Sequence, residues 1–196
     1  MKVRARFIVV LALWLLALGA CSLATAADWD VSQLMQSLAQ QRGGRVGFVE
    51  KKFIAILDRP VESSGELVYR PPARLEKLTL KPKFESLVLD RDLLVVEREM
   101  RKYTLQLQQY PEIAALVESI RATLAGDLKA LKQQYRVELE GSPERWMLTL
   151  LPSDTRIAAI VQRVRISGAG DELRQIEMLQ TDGDSSVMNI YRIAPQ

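Results

Sequence analysis

The strongest constraint on the fold of this chain is the repetition of short apolar-rich runs along almost its whole length. Between residues 45 and 108 the runs include RVGFVEKKFIAIL, GELVYR, RLEKLTL and ESLVLDRDLLVVERE, and turn sequences such as DRP, SSG, RPPA and KPK separate them. Five further runs follow between residues 134 and 193. Short runs bounded by Gly, Pro, Asp and Ser predict strands. We therefore predict about six strands, a helical insertion, and about five more strands.

The run KYTLQLQQ indicates how such a sheet is placed between core and water. Tyr103, Leu105 and Leu107 alternate with polar residues, which predicts a strand with one apolar and one wet face. Helices are too few for repeated strand–helix–strand units, so a single antiparallel sheet with helices on one face fits best. A sheet of this many strands must curl. The expected fold class is mainly β with α, built on a single curled antiparallel sheet that forms an incomplete β-barrel.

Two helical patterns stand out against the strands. Asp30 is suited to cap a first helix, whose apolar stripe comprises Val31, Leu34, Met35 and Leu38. Pro111 and Gly126 suit the start and the end of a second helix. Its apolar stripe is formed by Ile113, Leu116, Val117, Ile120 and Leu124, with Glu118, Arg121 and Thr123 expected to stay polar.

The N-terminus predicts export. Lys2, Arg4 and Arg6 precede an apolar stretch at residues 7–18 that is too short to span a bilayer comfortably. We predict a signal peptide at residues 1–26 and one domain at residues 27–196. Two cleavage sites compete: residues 18–21, LGAC, form a lipobox in which Cys21 would be acylated, and Ala-Thr-Ala at 24–26 suits ordinary signal peptidase. The second site favours a periplasmic protein, and the first an outer-membrane lipoprotein.

The amino-acid composition limits the classes of function that this chain can have. The excess of three basic residues lies entirely in the leader, so the remaining chain has no net charge and nothing global favours nucleic acid. The chain has no histidine, which removes the commonest general base and metal ligand, and Cys21 is its single cysteine. No catalytic spacing is recognisable. We expect no enzyme activity, no cofactor and no metal.

Four stretches, in this order, resemble the LolA family of periplasmic lipoprotein carriers. GFVEKKF is similar to the family's first-strand pattern through Phe48 and Glu50, and GELVYRPP to its glycine, leucine and aromatic strand that ends at a proline. LVLDRDLLVV and WMLTLLP are similar to later strands on either side of the helical insertion. The resemblance covers nearly the whole chain after the leader. Leu75 and Lys77 stand where the family favours aromatic residues, which indicates a divergent member with an aliphatic pocket.

The resemblance implies a LolA/LolB-like half-barrel with an apolar concave face and a helical lid. It implies a monomeric periplasmic carrier that binds the acyl chains of lipoproteins, or related lipids, and transfers them toward the outer membrane. The implied partners are an inner-membrane releasing complex and an outer-membrane acceptor. The alternative is a LolB-like acceptor, or a lipoprotein-sensing module, anchored in the outer membrane through Cys21.

The candidate ligand-binding residues follow from the apolar stripes and this resemblance. For the inner face of the lid they are Ile113, Leu116, Val117, Ile120 and Leu124, and for the pocket wall Leu87, Leu89, Tyr103, Leu105 and Leu107. Periodicity alone is equally typical of a filled core, so both interpretations stand at this point. The family also has a lid-contact arginine beside a strand-ending proline, and Arg70 is the candidate for it, one position from the expected register counted from Gly65.

Overall fold

The computed structural model describes residues 29–194, without the side chains of residues 111–113, 115 and 116. The predicted leader and Cys21 lie outside the described residues. The predicted side-chain roles of Ile113 and Leu116 also lie outside them, although the backbone of both residues belongs to a described helix.

Eleven strands, four α-helices and one 3₁₀ turn make up the described part of the chain. The helices are α1 (Val31–Ala39), α2 (Pro111–Ala125), α3 (Leu128–Gln134) and α4 (Thr155–Ala158), and the 3₁₀ turn is Leu107–Gln109. The strands before the helical insertion are β1 (Gly44–Phe53), β2 (Val61–Arg70), β3 (Arg74–Lys81), β4 (Glu85–Asp90), β5 (Leu93–Arg98) and β6 (Arg101–Gln106). Those after it are β7 (Tyr135–Ser142), β8 (Arg145–Pro152), β9 (Val161–Ala169), β10 (Glu172–Gln180) and β11 (Ser185–Arg192).

All eleven strands form one antiparallel sheet in the order β6-β5-β4-β3-β2-β1-β11-β10-β9-β8-β7. The first and last described strands, β1 and β11, pair at the centre of the sheet, from Val46 opposite Arg192 to Phe53 opposite Ser185. The described strands β6 and β7 are the two edges, so the sheet is not closed. The predicted fold class, a mainly β protein with one open antiparallel sheet, is confirmed.

The helical insertion joins the two edges of this sheet. The chain leaves edge strand β6, passes through the 3₁₀ turn, α2 and α3, and re-enters at edge strand β7. The helices therefore connect the two sides of the opening of the half-barrel. This placement gives the helical insertion, of which α2 is the longest helix, the position of a lid, since the two ends of the insertion are held by opposite edges of the sheet.

The hydrophobic core lies between the helices and one half of the sheet. Leu34, Met35 and Leu38 of α1 are buried against the inner side chains of β7–β10. The predicted cap of α1 is confirmed, because the Gln33 amide donates to Asp30 Oδ1 at 2.9 Å and the Asp30 amide donates to Gln33 Oε1 at 3.2 Å. We call the sheet face that carries this core the inner face.

Two local predictions are corrected by the strand boundaries. The sequence SSG was predicted as a turn, but Ser63, Ser64 and Gly65 lie inside β2. Glycine is required at 65, because a Cβ there would collide with the carbonyl oxygen of Leu78 on β3 beside a register shift in the ladder. Leu107 was predicted to continue β6, but the strand ends at Gln106 and Leu107 begins the 3₁₀ turn, where its amide donates to the Asp92 carbonyl at 2.9 Å.

Candidate functional site

The inner face of the first five hairpin-connected strands after β1 is lined by two cross-strand rows of side chains, which we call the inner wall. The ladder pairings of β2–β6 place opposite one another, in the first row, Tyr69, Leu75, Leu89, Leu94 and Leu105. The second row comprises Leu67, Lys77, Leu87, Val96 and Tyr103. Seven of these ten side chains are aliphatic, two are tyrosines and one is Lys77, so the inner wall is apolar with Lys77 as its charged member.

The structure brings together four of the five predicted wall residues. Leu87 and Tyr103 lie in the second row, both next to Val96, while Leu89 and Leu105 lie in the first row, both next to Leu94. Leu89 is buried, Leu87 and Leu105 are half-buried and Tyr103 is exposed. Leu107 is also buried, but it belongs to the 3₁₀ turn rather than to a wall strand.

Among the described side chains of α2, the most buried ones lie outside the predicted apolar stripe. Its fully or almost fully buried described residues are Ser119, Ala122 and Thr123, whereas Val117, Ile120 and Leu124 are half-buried. Thr123 was expected to stay polar and exposed, but it is completely buried, and its hydroxyl donates to the Ser119 carbonyl at 2.7 Å. Small side chains thus hold α2 against the core, where Ala122 belongs to the main cluster.

An arginine on α2 connects the lid to the wall strands. Arg121 donates to the carbonyl of Arg91, in the turn between β4 and β5, at 3.2 Å, and it forms an ion pair with Glu118 one turn earlier on the helix. Burial raises the pKa of Tyr69 in the first row of the wall, and the positive charge of Arg121 opposes that rise. Arg121 therefore lies close to both the inner wall and the β4–β5 turn.

The other edge of the sheet is tied to α2 through a tyrosine. Tyr135, the first residue of β7, is buried and makes a side-chain hydrogen bond with Ser119. Burial raises the pKa of Tyr135, and this hydrogen bond partly offsets the rise. Helix α2 consequently has polar contacts toward both sides of the opening, Arg121 on the β4–β5 side and Ser119 on the β7 side.

Arg70, the candidate lid-contact residue, lies on the opposite face of the sheet from the inner wall. It follows Tyr69 in β2, and successive side chains of a strand point to opposite faces. Its guanidinium is 3.1 Å from Glu76 Oε1 and its side chain is 63% exposed. In the described residues it is Arg121, on the helix rather than on the strand, that connects lid and sheet.

A buried ion pair marks the boundary between the wall and the central strands. Lys77 Nζ lies 2.6 Å from Glu50 Oε2, and the Ser63 hydroxyl donates to the same carboxylate oxygen at 3.4 Å. Glu50 is 5% exposed. The ammonium also lies 5.0 Å from the ring centroid of Phe48, a cation–π distance. Lys77 is thus the charged residue of an inner wall that is otherwise apolar, and Glu50 on β1 is its partner.

The ion pair and Arg121 were missed as site residues at the sequence level. The signal for the pair was present, because Glu50 shares a strand face with Phe48, and Lys77 shares one with Leu75. An acidic and a basic residue, each on an apolar strand face, predict a buried pair. No comparable signal marks Arg121, since an arginine on the polar side of an amphipathic helix is usually solvated.

One polar cavity lies next to the lid. It has a volume of about 210 Å³ and is lined by α2, α4, the 3₁₀ turn and the end of α3, with Glu118, Gln134, Asp154 and Arg156 among its lining residues. A hydrogen bond from Arg156 lowers the pKa of Asp154. None of the wall residues lines this cavity, so it is separate from the inner wall.

Within the described residues no cluster of Cys, Asp or Glu has the composition of a metal site. The described helices also include none with the length and hydrophobicity needed to cross a bilayer.

Residues 23–190 match the protein family described as outer membrane lipoprotein carrier protein LolA-like. No match was found among curated protein sequences.

Solved structures with a similar fold were also found. A LolA superfamily protein from Nitrosomonas europaea is 10% identical, with a TM-score of 0.42 over 86% of this chain and 96% of its own. The Pseudomonas aeruginosa MucA/MucB complex contains a chain that is 14% identical, with a TM-score of 0.49 over 86% of this chain and 59% of its own. The Mycobacterium tuberculosis lipoprotein LppX is 6% identical, with a TM-score of 0.43 over 85% of this chain and 97% of its own.

Proposed function

Because the chain belongs to the LolA-like outer membrane lipoprotein carrier family, we propose that it is an extracytoplasmic carrier of acylated molecules. It binds the acyl chains of lipoproteins, or of related lipids, between the inner wall and helix α2, and transfers them toward the outer membrane. In this proposal the protein works without a catalytic step. Its partners are an inner-membrane releasing complex that loads it and an outer-membrane acceptor that unloads it.

The distribution of burial on α2 and the inner wall carries this proposal. In a filled barrel the apolar stripe of the helix is the buried stripe, because burial of hydrocarbon is what stabilises the lid. Here the small and polar residues Ser119 and Thr123 are buried, while Ile120 and Leu124 are half-buried. Leu87 and Leu94 of the wall are half-buried as well. Apolar surface is therefore left available on both the lid and the wall.

The energetics of binding are compatible with a movable lid. Each methylene removed from water contributes about 0.8 kcal/mol, so a single long acyl chain represents a gain of roughly 10 kcal/mol if it is fully buried. Opening α2 breaks a few polar contacts, such as the one between Arg121 and the Arg91 carbonyl, and it exposes the small buried side chains of the helix, such as Ala122. The sheet ladder stays intact, since α2 contributes no strand pairing. Loading and release then require little loss of backbone structure.

The proposal is tested with a pair of substitutions on one edge strand. Leu105 and Thr104 are neighbours on β6, and they point to the inner and the outer face respectively. We expect Leu105→Glu to reduce binding of a fluorescent fatty acid at least tenfold, because a carboxylate then faces the acyl chains. Thr104→Glu is the matched control and should bind normally. Thermal unfolding of both variants establishes that they fold.

A cargo assay complements the binding assay. Protein purified after coexpression with a tagged lipoprotein is separated by gel filtration, and the complex is analysed by mass spectrometry. Co-elution of the acylated lipoprotein, lost in Leu105→Glu and kept in Thr104→Glu, supports the carrier function. If neither acyl ligand nor dye binds the unaltered protein, the carrier proposal fails.

The second candidate is an anchored acceptor or lipoprotein-sensing module, and residues 18–21, LGAC, favour it. Stable anchoring through an acylated Cys21 would keep the protein at one membrane, which suits an acceptor and not a shuttle. The mass of the mature N-terminus decides between the two. A chain beginning at Ala27 supports the soluble carrier, and a chain beginning at an acylated Cys21 supports the acceptor. The binding face is the same in both.

A further inference from the structure

Three turns at one end of the sheet each present a large apolar side chain to solvent. Ile56, between β1 and β2, is 90% exposed. Phe84, between β3 and β4, is 53% exposed, and Met100, between β5 and β6, is fully exposed. Single exposed apolar residues are common on protein surfaces, but three such residues in three neighbouring turns at one end of a sheet indicate a binding surface.

The three turns lie side by side. Strands β1 to β6 follow one another in the sheet and alternate in direction, so the turns after β1, β3 and β5 share one end. Strands two positions apart are separated by about 10 Å. Lys83 Nζ is 3.2 Å from Glu99 Oε1, which joins the second and third turns. We call residues 52–60, 81–84 and 98–101 the turn rim.

The third turn holds its methionine in an unfavourable backbone conformation. Glu99 and Met100 have φ angles of +52° and +62°, in the left-handed region where tight hairpins favour Asn and Gly. A methionine at this position gains no packing inside the protein, because its side chain is fully exposed. Folding alone therefore does not account for the residue.

The turn rim is also positively charged. It contains two acidic residues, Asp58 and Glu99, against six basic ones. The basic residues are Lys52, Arg59, Lys81, Lys83, Arg98 and Arg101. The net charge of the rim is thus +4, whereas the chain after residue 26 has equal numbers of acidic and basic residues. The β10–β11 turn beside the first turn carries Asp182 and Asp184, and Asp184 Oδ1 accepts the Ala55 amide at 2.8 Å. The positive excess of this end of the sheet therefore lies at the second and third turns, next to Phe84 and Met100.

We propose that the turn rim docks on the surface of a phospholipid bilayer that contains anionic lipids. Ile56, Phe84 and Met100 enter the boundary between headgroups and acyl chains, while the lysines and arginines contact lipid phosphates. Glu85 and Arg98, which follow the inner wall toward the same end, form the polar border between the wall and the membrane. The carrier then contacts the bilayer itself, in addition to any protein partner.

The test is flotation with vesicles, using protein in which Cys21→Ala removes any acyl anchor. The vesicles are phosphatidylcholine alone or phosphatidylcholine with 30% phosphatidylglycerol. We expect binding only to the anionic vesicles, weakened by high salt. Two double variants, Ile56→Ser with Met100→Ser and Lys81→Gln with Lys83→Gln, should each weaken binding at least tenfold.

The controls alter the same kinds of residue at the opposite end of the sheet. Leu93 is 41% exposed beside the β4–β5 turn, and Arg42 and Arg70 are exposed at that end. Leu93→Ser and the double variant Arg42→Gln with Arg70→Gln should bind vesicles normally. Equal losses in the controls, or no binding of the unaltered protein, overturn the proposal. Cross-linking of the rim to a membrane protein in the absence of vesicle binding also overturns it, and assigns the rim to a protein partner.

Vesicle binding through the rim is separable from acyl binding by the wall. Leu105→Glu disables the wall and leaves the turn rim unchanged. Normal flotation of Leu105→Glu supports the docking proposal even if the carrier proposal fails. If Leu105→Glu abolishes flotation while the rim variants keep it, the protein reaches vesicles through its inner wall and the docking proposal is wrong.

Discussion

Glu50 and Lys77 form an ion pair on the inner face of the sheet, with Lys77 Nζ 2.6 Å from Glu50 Oε2. The two residues come from strands that are not neighbours, since β2 lies between β1 and β3. Their side chains meet over β2, where the Ser63 hydroxyl donates to the same carboxylate oxygen. The carboxylate is almost completely buried, so its charge depends on Lys77 for compensation.

Removal of Lys77 alone should therefore be costly. We expect Lys77→Ala to lower the free energy of unfolding by about 3 kcal/mol, because it leaves a buried carboxylate without its partner. The double variant Glu50→Met with Lys77→Met should be close to neutral, because both desolvated charges are then replaced by hydrocarbon. Urea unfolding measures both.

A matched control lies on the same strands. Lys51 and Glu62 form an exposed pair 2.9 Å apart on the outer face of β1 and β2. Lys51→Ala should cost less than about 1 kcal/mol, because exposed pairs contribute little. If Lys77→Ala lowers the free energy of unfolding no more than Lys51→Ala does, the Glu50–Lys77 pair is exposed to water in solution and is not buried at the inner wall.

Arg121 should control the opening of the lid. Arg121→Ala removes the donor to the Arg91 carbonyl, so we expect the amides of α2 to exchange hydrogen several-fold faster. The pKa of Tyr69 should rise further, because the cation that opposes the effect of burial is gone. Hydrogen exchange with mass spectrometry and an ultraviolet titration follow the two effects. Lys129→Ala, an exposed change on α3, is the control and should alter neither.

The pH dependence at the alkaline end follows from Tyr135. Burial raises its pKa above the ordinary value of about 10, so the folded state retains the phenolic proton longer than the unfolded state. The stability that the protonated Tyr135 side chain contributes is fully present below about pH 10, and it is lost as the pH rises through the pKa of Tyr135 in the folded state. Melting temperatures measured from pH 8 to 11 should fall more steeply for the unaltered protein than for Tyr135→Phe. Parallel curves would contradict this assignment.

Two glycines offer a contrast between a filled and an open position. A Cβ at Gly168 would collide with the indole ring of Trp146 and the carbonyl of Glu172, so Gly168→Ala should destabilise by about 2 kcal/mol or more. A Cβ at Gly44 would meet no atom within 4 Å. Gly44→Ala should be neutral or stabilising by up to about 1 kcal/mol, because it restricts the unfolded chain. Chemical denaturation of the two variants checks the difference.

The membership in the LolA-like family and the open antiparallel sheet were both predictable from the sequence. The alternation of residues 103–105 placed Tyr103 and Leu105 on one face, and Asp30 was correctly predicted to cap α1. These features are encoded locally, because a strand repeats every two residues and a cap is completed within one helical turn. The prediction was wrong at Leu107 and Thr123 for a nonlocal reason. The Leu107 amide donates to the Asp92 carbonyl where the strand ends, and Thr123 is buried on a helix whose apolar residues Val117, Ile120 and Leu124 are only half-buried.

The sequence by itself thus determined the approximate number of strands, the shared face of Tyr103 and Leu105, and the positions of α1 and α2. Only the tertiary structure decided which strands form the edges, and that the helices join those edges across the opening. It alone brought Glu50 to Lys77, 27 residues away, and Arg121 to the Arg91 carbonyl, 30 residues away. The physical reason is that periodicity specifies which face of an element is apolar, whereas the partner of that face is chosen by packing between segments distant in the chain.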